Sequence, residues 1–143
     1  MFTEVYCLSE MYLFPGGNTP RRFVNHFDDI LPFERARRVY FIKGGSGVGK
    51  STFMRAVGQH CAQAGYKVEY FNCSSDPQSL DGVAIPALGA AMMDGTAPHV
   101  MDPRLPGARD FMINLGDYLD DGRLSERRPW LSDVMQRRTQ CFE

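Results

Sequence analysis

Residues Gly44-Gly-Ser-Gly-Val-Gly-Lys-Ser51 fill every fixed position of the spacing G-x-x-x-x-G-K-[ST]. The chemistry of that spacing is phosphate binding. Successive backbone N–H groups converge on phosphate oxygens, the lysine reaches the β- and γ-phosphates of a nucleoside triphosphate, and the hydroxyl joins the shell of a Mg²⁺ ion. At average residue usage the four fixed positions coincide by chance in roughly 0.5% of chains of this length. Gly44, Gly45, Gly47 and Gly49 carry no Cβ to obstruct the phosphates, and Ser46, Val48 and Thr52 complete the cradle around Lys50 and Ser51.

A carboxylate is the second requirement of that chemistry. The small and apolar run Leu88 to Met93 ends in Asp94, and a strand-end aspartate can hold Mg²⁺, usually through water, opposite Ser51. Asp76 and Asp81 are the alternatives. Both follow the apolar run Lys67 to Phe71, where an acceptor hydroxyl could meet a γ-phosphate. Asp76-Pro77 reads as a turn in which the side chain bonds its own backbone, and Asp81-Gly82 fits a turn and an acid–base role about equally. His99, five residues after Asp94, is a candidate proton shuttle or γ-phosphate sensor, although a loop histidine bonded to nearby backbone is the commoner arrangement. Lys50, Asp94, Asp81 and His99 are therefore the candidates for catalytic work. Arg104 and Arg109 could neutralise phosphoryl charge, with surface solvation as the plainer reading.

Positioning these residues requires alternating elements. Val39-Tyr40-Phe41-Ile42 predicts a strand leading into the loop. Phe53, Met54, Val57 and Cys61 recur at helical spacing up to Ala64, and Gly65 supplies a stop. Lys67 to Phe71 and Leu88 to Met93 read as two further strands. Before the loop, Pro15-Gly16-Gly17-Asn18 is a turn, and Phe23, Val24, Phe27, Ile30 and Leu31 suit a short helix ending before Pro32. After Asp94, Phe111, Leu115 and Leu119 share a helical face, and Trp130, Val134 and Arg138 suit a helix running to Glu143.

The pattern predicts an α/β fold, a three-layer αβα of the P-loop NTPase type with a parallel sheet. One domain is expected over 1–143, with a lead-in over 1–38, a βαβ nucleotide core over 39–94 and a mainly helical part over 95–143. No fourth or fifth strand is evident, so an incomplete or truncated sheet is expected, with the chain as half of something larger.

Composition narrows the partners. The 143 residues carry a formal net charge of −1 at pI 6.3, so no overall basic field draws the chain to nucleic acid or anionic lipid. Arg21-Arg22, Arg37-Arg38, Arg127-Arg128 and Arg137-Arg138 read as solvated pairs. Cys7, Cys61, Cys73 and Cys141 show no C-x-x-C spacing, which suits reduced thiols in the cytoplasm. The N-terminus has no basic n-region, and no segment is long and apolar enough to span a bilayer.

The runs Cys73 to Val83, Met93-Asp-Gly-Thr-Ala-Pro-His-Val-Met-Asp-Pro103, Asn114-Leu-Gly-Asp117 and Leu13 to Pro20 resemble a poorly characterised family of bacterial P-loop ATPases. The resemblance covers roughly residues 10 to 120 and is most specific in Asp-Gly-Thr-Ala-Pro-His. That family carries two P-loop halves in tandem. This sequence holds one G-x-x-x-x-G-K-[ST], so it resembles the N-terminal half, and a second half or a homo-oligomer is the implied partner. After Leu124, Arg127-Arg128-Pro129-Trp130 departs from the family pattern, and no roles carry over there.

Two function classes follow. Gly95, where hydrolytic motors place a water-aligning glutamate, argues against a strong motor. The sequence lacks an Asn-Lys-x-Asp run, which favours ATP over GTP. The leading expectation is a Mg-ATP-binding NTPase that transfers phosphate to a small-molecule acceptor or hydrolyses ATP slowly. The other is a nucleotide-dependent switch or binding module without appreciable turnover.

Overall fold

A computed structural model describes residues 9–21, 23–96 and 100–140. It contains strands β1 (Glu10–Leu13), β2 (Gly16–Asn18), β3 (Phe23–Asn25) and β4 (Arg38–Lys43), then helix α1 (Lys50–Gln63). Strands β5 (Val68–Asn72), β6 (Leu80–Ile85), β7 (Ala90–Asp94) and β8 (Asp110–Asn114) follow, before helices α2 (Asp121–Glu126) and α3 (Arg128–Gln140). Six strands form one sheet in the order β1-β5-β6-β7-β4-β8, and β2 and β3 form a separate hairpin. β1 runs parallel to β5, and β4 runs parallel to both β7 and β8, whereas β6 is antiparallel to β5 and β7. The result is an α/β fold with a mostly parallel sheet flanked by helices.

The β4–α1–β5 crossover and the strand ending at Asp94 match the sequence reading. Three other readings are corrected. The sheet is not short of strands, because β1, β6 and β8 extend it. Phe111 and Leu115 do not begin a helix: 110–114 pairs with β4, and only a 3-10 turn, Leu115–Tyr118, follows. The helix expected over Phe23 to Leu31 is strand β3 and a 3-10 turn at Phe27–Asp29. That segment closes a hairpin, with the His26 amide donating to Pro15 O at 2.6 Å. The helix expected to run to Glu143 is described to Gln140.

Each face of the sheet has its own apolar layer. Ile42, Met54, Val68, Tyr70, Leu80, Val83 and Ile85 join the sheet to α1. Phe27, Ile30, Leu31, Val39, Phe41, Phe71, Ala84, Ala91 and Met93 fill the other face, so the lead-in segment does the covering there. Gly58 of α1 meets the sheet at its closest point, since a Cβ there would lie 2.5 Å from Tyr70 Cε1. The Tyr70 hydroxyl donates to Glu10 Oε1 at 2.9 Å and its ring stacks on Tyr12 at 4.9 Å, which fastens β1 to β5. Burial, and then the Glu10 carboxylate, hold the Tyr70 phenol well above its ordinary pKa. On α3, Trp130, Val134 and Met135 stay exposed.

At the start of β8 the buried Asp110 accepts from the amides of Arg104 at 2.7 Å and Leu105 at 2.9 Å and from Arg109 Nη2 at 2.8 Å. The Arg109 guanidinium in turn lies 4.2 Å from the Phe33 ring centre. Hydrogen bonding to Arg109 outweighs burial and lowers the Asp110 carboxyl to about 2, from an ordinary 3.8. Because the folded pKa is depressed, the stabilisation is full above the unfolded value and is lost as pH falls toward 2. Asp110→Asn should therefore cost about 2 kcal/mol at pH 7, and the gap from the parent should close between roughly pH 4 and 2. Urea unfolding of both proteins across that range checks it.

Candidate functional site

The glycine loop leaves β4 at Lys43 and enters α1 at Lys50. Gly49, the residue before the helix, adopts φ 101°, and at Gly44 (φ 147°) a Cβ would lie 2.7 Å from Val48 Cγ1. Both positions need glycine. Within the loop, through Gly45, Ser46 and Gly47, the Val48 amide donates to Gly45 O at 3.4 Å, and the Phe53 amide returns to Gly49 O at 2.9 Å. No side chain caps α1. The first-turn amides of Lys50, Ser51 and Thr52 therefore face the loop together with the positive end of the helix dipole, an arrangement that attracts anions.

Lys50 folds back on this loop. Its Nζ donates to Gly44 O at 2.7 Å and Gly45 O at 3.0 Å, and it lies 3.5 Å from Asp94 Oδ2. The two charged side chains are only 11% and 23% exposed. Asp94 reaches the loop because β7 lies beside β4 with Asp94 opposite Ile42. Its other oxygen, Oδ1, accepts from the Thr96 amide at 2.9 Å and from the Thr96 hydroxyl. One carboxylate oxygen is thus engaged by its own turn, and the other faces Lys50.

Ser51 Oγ accepts from the Leu80 amide at 2.9 Å. The first turn of α1 is thereby tied to the start of β6. Hydroxyl and carboxylate oxygens are the hard donors that Mg²⁺ prefers, and Ser51 Oγ keeps a lone pair beyond the one Leu80 uses. Among the described residues no three His, Cys, Asp or Glu side chains group to hold a metal. A Mg²⁺ ion here would take Ser51 and Asp94 together with phosphate oxygens and water.

Asp81 is not where the sequence placed it. It lies inside β6, and the ladder steps from Phe71↔Gly82 to Asn72↔Leu80, so Asp81 is the extra residue of a β-bulge. It is 9% exposed and hydrogen-bonds with the Cys73 thiol. Burial raises that thiol's pKa, backbone bonds from Ser75 and Asp76 pull it partly back, and the Asp81 charge raises it further. A carboxylate so enclosed is not a loop base open to an acceptor.

Asp76 does form the expected turn, accepting from the Gln78 amide at 3.3 Å and the Ser79 hydroxyl at 2.6 Å. His99 lies outside the described residues, as do Cys7 and Cys141. Arg104 pairs with Asp28 at 2.7 Å. Arg109 sits at the start of β8, while the loop lies beyond Asn114 at its other end, about 13 Å along the strand. Neither arginine joins the site.

Two neighbours were given no place at the site by the sequence reading. Lys43 closes the segment after Asp94, donating to Gly95 O, Met101 O and Asp102 Oδ1 at 2.7, 2.8 and 3.0 Å. The turn after β8 packs on the loop, with Leu115 Cβ 3.5 Å from the Cβ position of Gly44. No motif spacing marks Lys43, whereas Leu115 lies in the Asn114-Leu-Gly-Asp117 run that carries the family resemblance.

Comparison of the chain with protein-family models, curated proteins and solved structures finds no match. Among the described residues no helix is long and apolar enough to cross a membrane.

The Ser51 contact carries a stability prediction. Ser51→Ala leaves the part-buried Leu80 amide without an acceptor and should lower the unfolding free energy by about 1–2 kcal/mol. Denaturant titration beside the parent protein measures it. A loss below about 0.5 kcal/mol, the range of ordinary surface substitutions, would mean the contact adds nothing.

Proposed function

We propose that the chain is a P-loop NTPase-type domain that binds Mg-ATP, with the phosphates in the Gly44–Thr52 loop. The observation that carries this reading is the 3.5 Å approach of Lys50 Nζ, at the start of α1, to Asp94 Oδ2, at the end of the strand that pairs in parallel with β4, beside an uncapped helix N-terminus. A phosphate-binding cation, a metal-binding carboxylate and a row of free amides meet at one end of the sheet, which is where open α/β sheets bind ligands. On binding, Lys50 exchanges the Gly44 and Gly45 carbonyls for the β- and γ-phosphates. Mg²⁺, when bound, would neutralise charge on those phosphates. Ser51 and Asp94 would hold it from the two sides.

For the reaction, slow ATP hydrolysis fits better than transfer to a small-molecule acceptor. Gly95 follows Asp94, so no carboxylate there aligns water, and the Asp81 carboxylate is enclosed with Cys73. A second reading, a nucleotide-dependent switch, draws on one contact. Any group that engages Ser51 Oγ competes with or reorients its bond to Leu80, and so acts on the 73–79 loop. A second P-loop half or another copy of the chain is the proposed partner, and the cytoplasm the proposed location.

Isothermal calorimetry with Mg-ATP, Mg-GTP and a non-hydrolysable ATP analogue, followed by product analysis, tests the reading. Mg-ATP should bind selectively with little product. Lys50→Ala removes charge-assisted bonds worth about 1.5–3 kcal/mol and should weaken binding roughly 10- to 100-fold. Asp94→Asn should shift the Mg²⁺ requirement and leave metal-free binding near the parent value. An unaltered ATP affinity in Lys50→Ala removes the assignment.

A further inference from the structure

We infer that Lys43 is a positioning residue for Asp94: it clamps the chain just after β7 and so keeps the Asp94 carboxylate turned toward Lys50. The inference rests on the Mg-nucleotide reading above for its functional consequence, and on geometry alone for the clamp.

An ammonium has three N–H donors, and Lys43 directs all three into the segment that follows Asp94. Two meet backbone carbonyls, Gly95 O at 2.7 Å and Met101 O at 2.8 Å, and the third meets Asp102 Oδ1 at 3.0 Å. The lysine side chain is 19% exposed and that of Asp102 76%, so the carbonyl bonds are the sheltered ones. Exposed ion pairs contribute little, which leaves the carbonyls as the purpose of the contact.

Gly95 is consequently gripped twice. Its amide donates to Ile42 O at 3.0 Å, extending the β4–β7 ladder by one step, and its carbonyl accepts from the side chain of the next β4 residue, Lys43. With Gly95 fixed, the Thr96 amide comes to 2.9 Å from Asp94 Oδ1. That bond occupies one carboxylate oxygen and leaves Oδ2 for Lys50. The order of dependence is Lys43, Gly95, Thr96, Asp94. Groups that orient a metal-binding carboxylate act in this way, and their loss typically weakens metal binding 10- to 100-fold.

Gly95 supplies a second handle on the same contact. Its φ is not in the left-handed region, so alanine is tolerated by the backbone, yet a Cβ would lie 3.1 Å from Met101 O and 3.2 Å from Lys43 Cε. Gly95→Ala crowds the clamp without removing a charge.

Lys43→Met and Gly95→Ala should be compared with the parent by two readouts. The first is amide hydrogen exchange at Thr96 without nucleotide, followed by NMR. It should accelerate about tenfold or more in both variants while core strand amides stay protected. The second is ATP affinity against Mg²⁺ concentration. The Mg²⁺ midpoint should rise about tenfold or more, with metal-free ATP affinity within about twofold of the parent. Parent-like Thr96 exchange and an unchanged midpoint in folded variants overturn the inference. So does an equal loss of metal-free and Mg²⁺-dependent affinity, the sign of a general structural defect. If the parent binds no nucleotide, the functional reading falls, and faster Thr96 exchange in both variants still establishes Lys43 as the residue that positions Asp94.

Discussion

The parallel pairing of β4 with β7 is the constraint on which the site depends. Ile42 lies opposite Asp94, and the Gly95 amide carries the ladder one step further to Ile42 O. A slip of one residue would turn every β7 side chain to the other face. The register is held by packing. Val39 and Phe41 share one layer with Ala91 and Met93, while Tyr40 and Ile42 share the other with Met92. Lys50 and the strand-end carboxylate of Asp94 meet because the two buried faces of β4 and β7 fix their register.

The reversed strand β6 solves a problem that the crossover creates. α1 carries the chain from β4 past two strand positions to β5, and β6 and β7 then fill the gap by hairpins rather than by another helix. That economy brings the first residue of β6 under the first turn of α1, where the Leu80 amide bonds Ser51. The bulge at Asp81 follows from the same geometry. Leu80, Val83 and Ile85 face α1 while Ala84 faces the opposite layer, and the extra residue absorbs the change of phase between the two ends of the strand. Asp81 is enclosed as a result, with Cys73 beside it.

What could be read from the sequence was whatever its local pattern stated without competition. Val39 to Ile42 is a β-branched and aromatic run closed by glycines, and Phe53, Met54, Val57 and Cys61 hold one helical period, so β4, the loop, α1 and β5 were legible. β6 was not, because Leu80-Asp-Gly-Val-Ala-Ile carries Asp-Gly, a turn signal, inside a strand that tertiary pairing on both sides sustains. β8 was misread for a related reason. Phe111, Leu115 and Leu119 happen to fall four apart, and five residues of strand are too few for the alternation of Phe111 and Ile113 to prevail. Of the candidate site, Lys50, Ser51 and Asp94 were named from motif chemistry, and the fold brings Lys50 to 3.5 Å from Asp94. Lys43 was not, since a lysine's role here depends on which carbonyls the fold brings near it, and Gly95 and Met101 lie more than fifty residues along the chain.

The two lysines that flank the glycine loop differ in a way that assigns them different work. Lys43 has three partners within 3.0 Å on a segment other than its own, so moving it would strand two part-buried carbonyls and release the turn beyond Asp94. Lys50 bonds two carbonyls of the very loop it closes and stands 3.5 Å from a carboxylate that another group already half engages. The contact with Gly44 O is part-buried, and the one with Gly45 O is exposed. A ligand shifts a conformation only by the difference in its affinity for the two states. A bound phosphate would offer Lys50 a charged acceptor in exchange for neutral ones and would also draw the first-turn amides of α1, whereas all three Lys43 donors are already engaged on the segment after Asp94. If the loop binds a nucleotide as proposed, Lys50 is the cation that would exchange partners, and Lys43 the one that would hold the segment after Asp94.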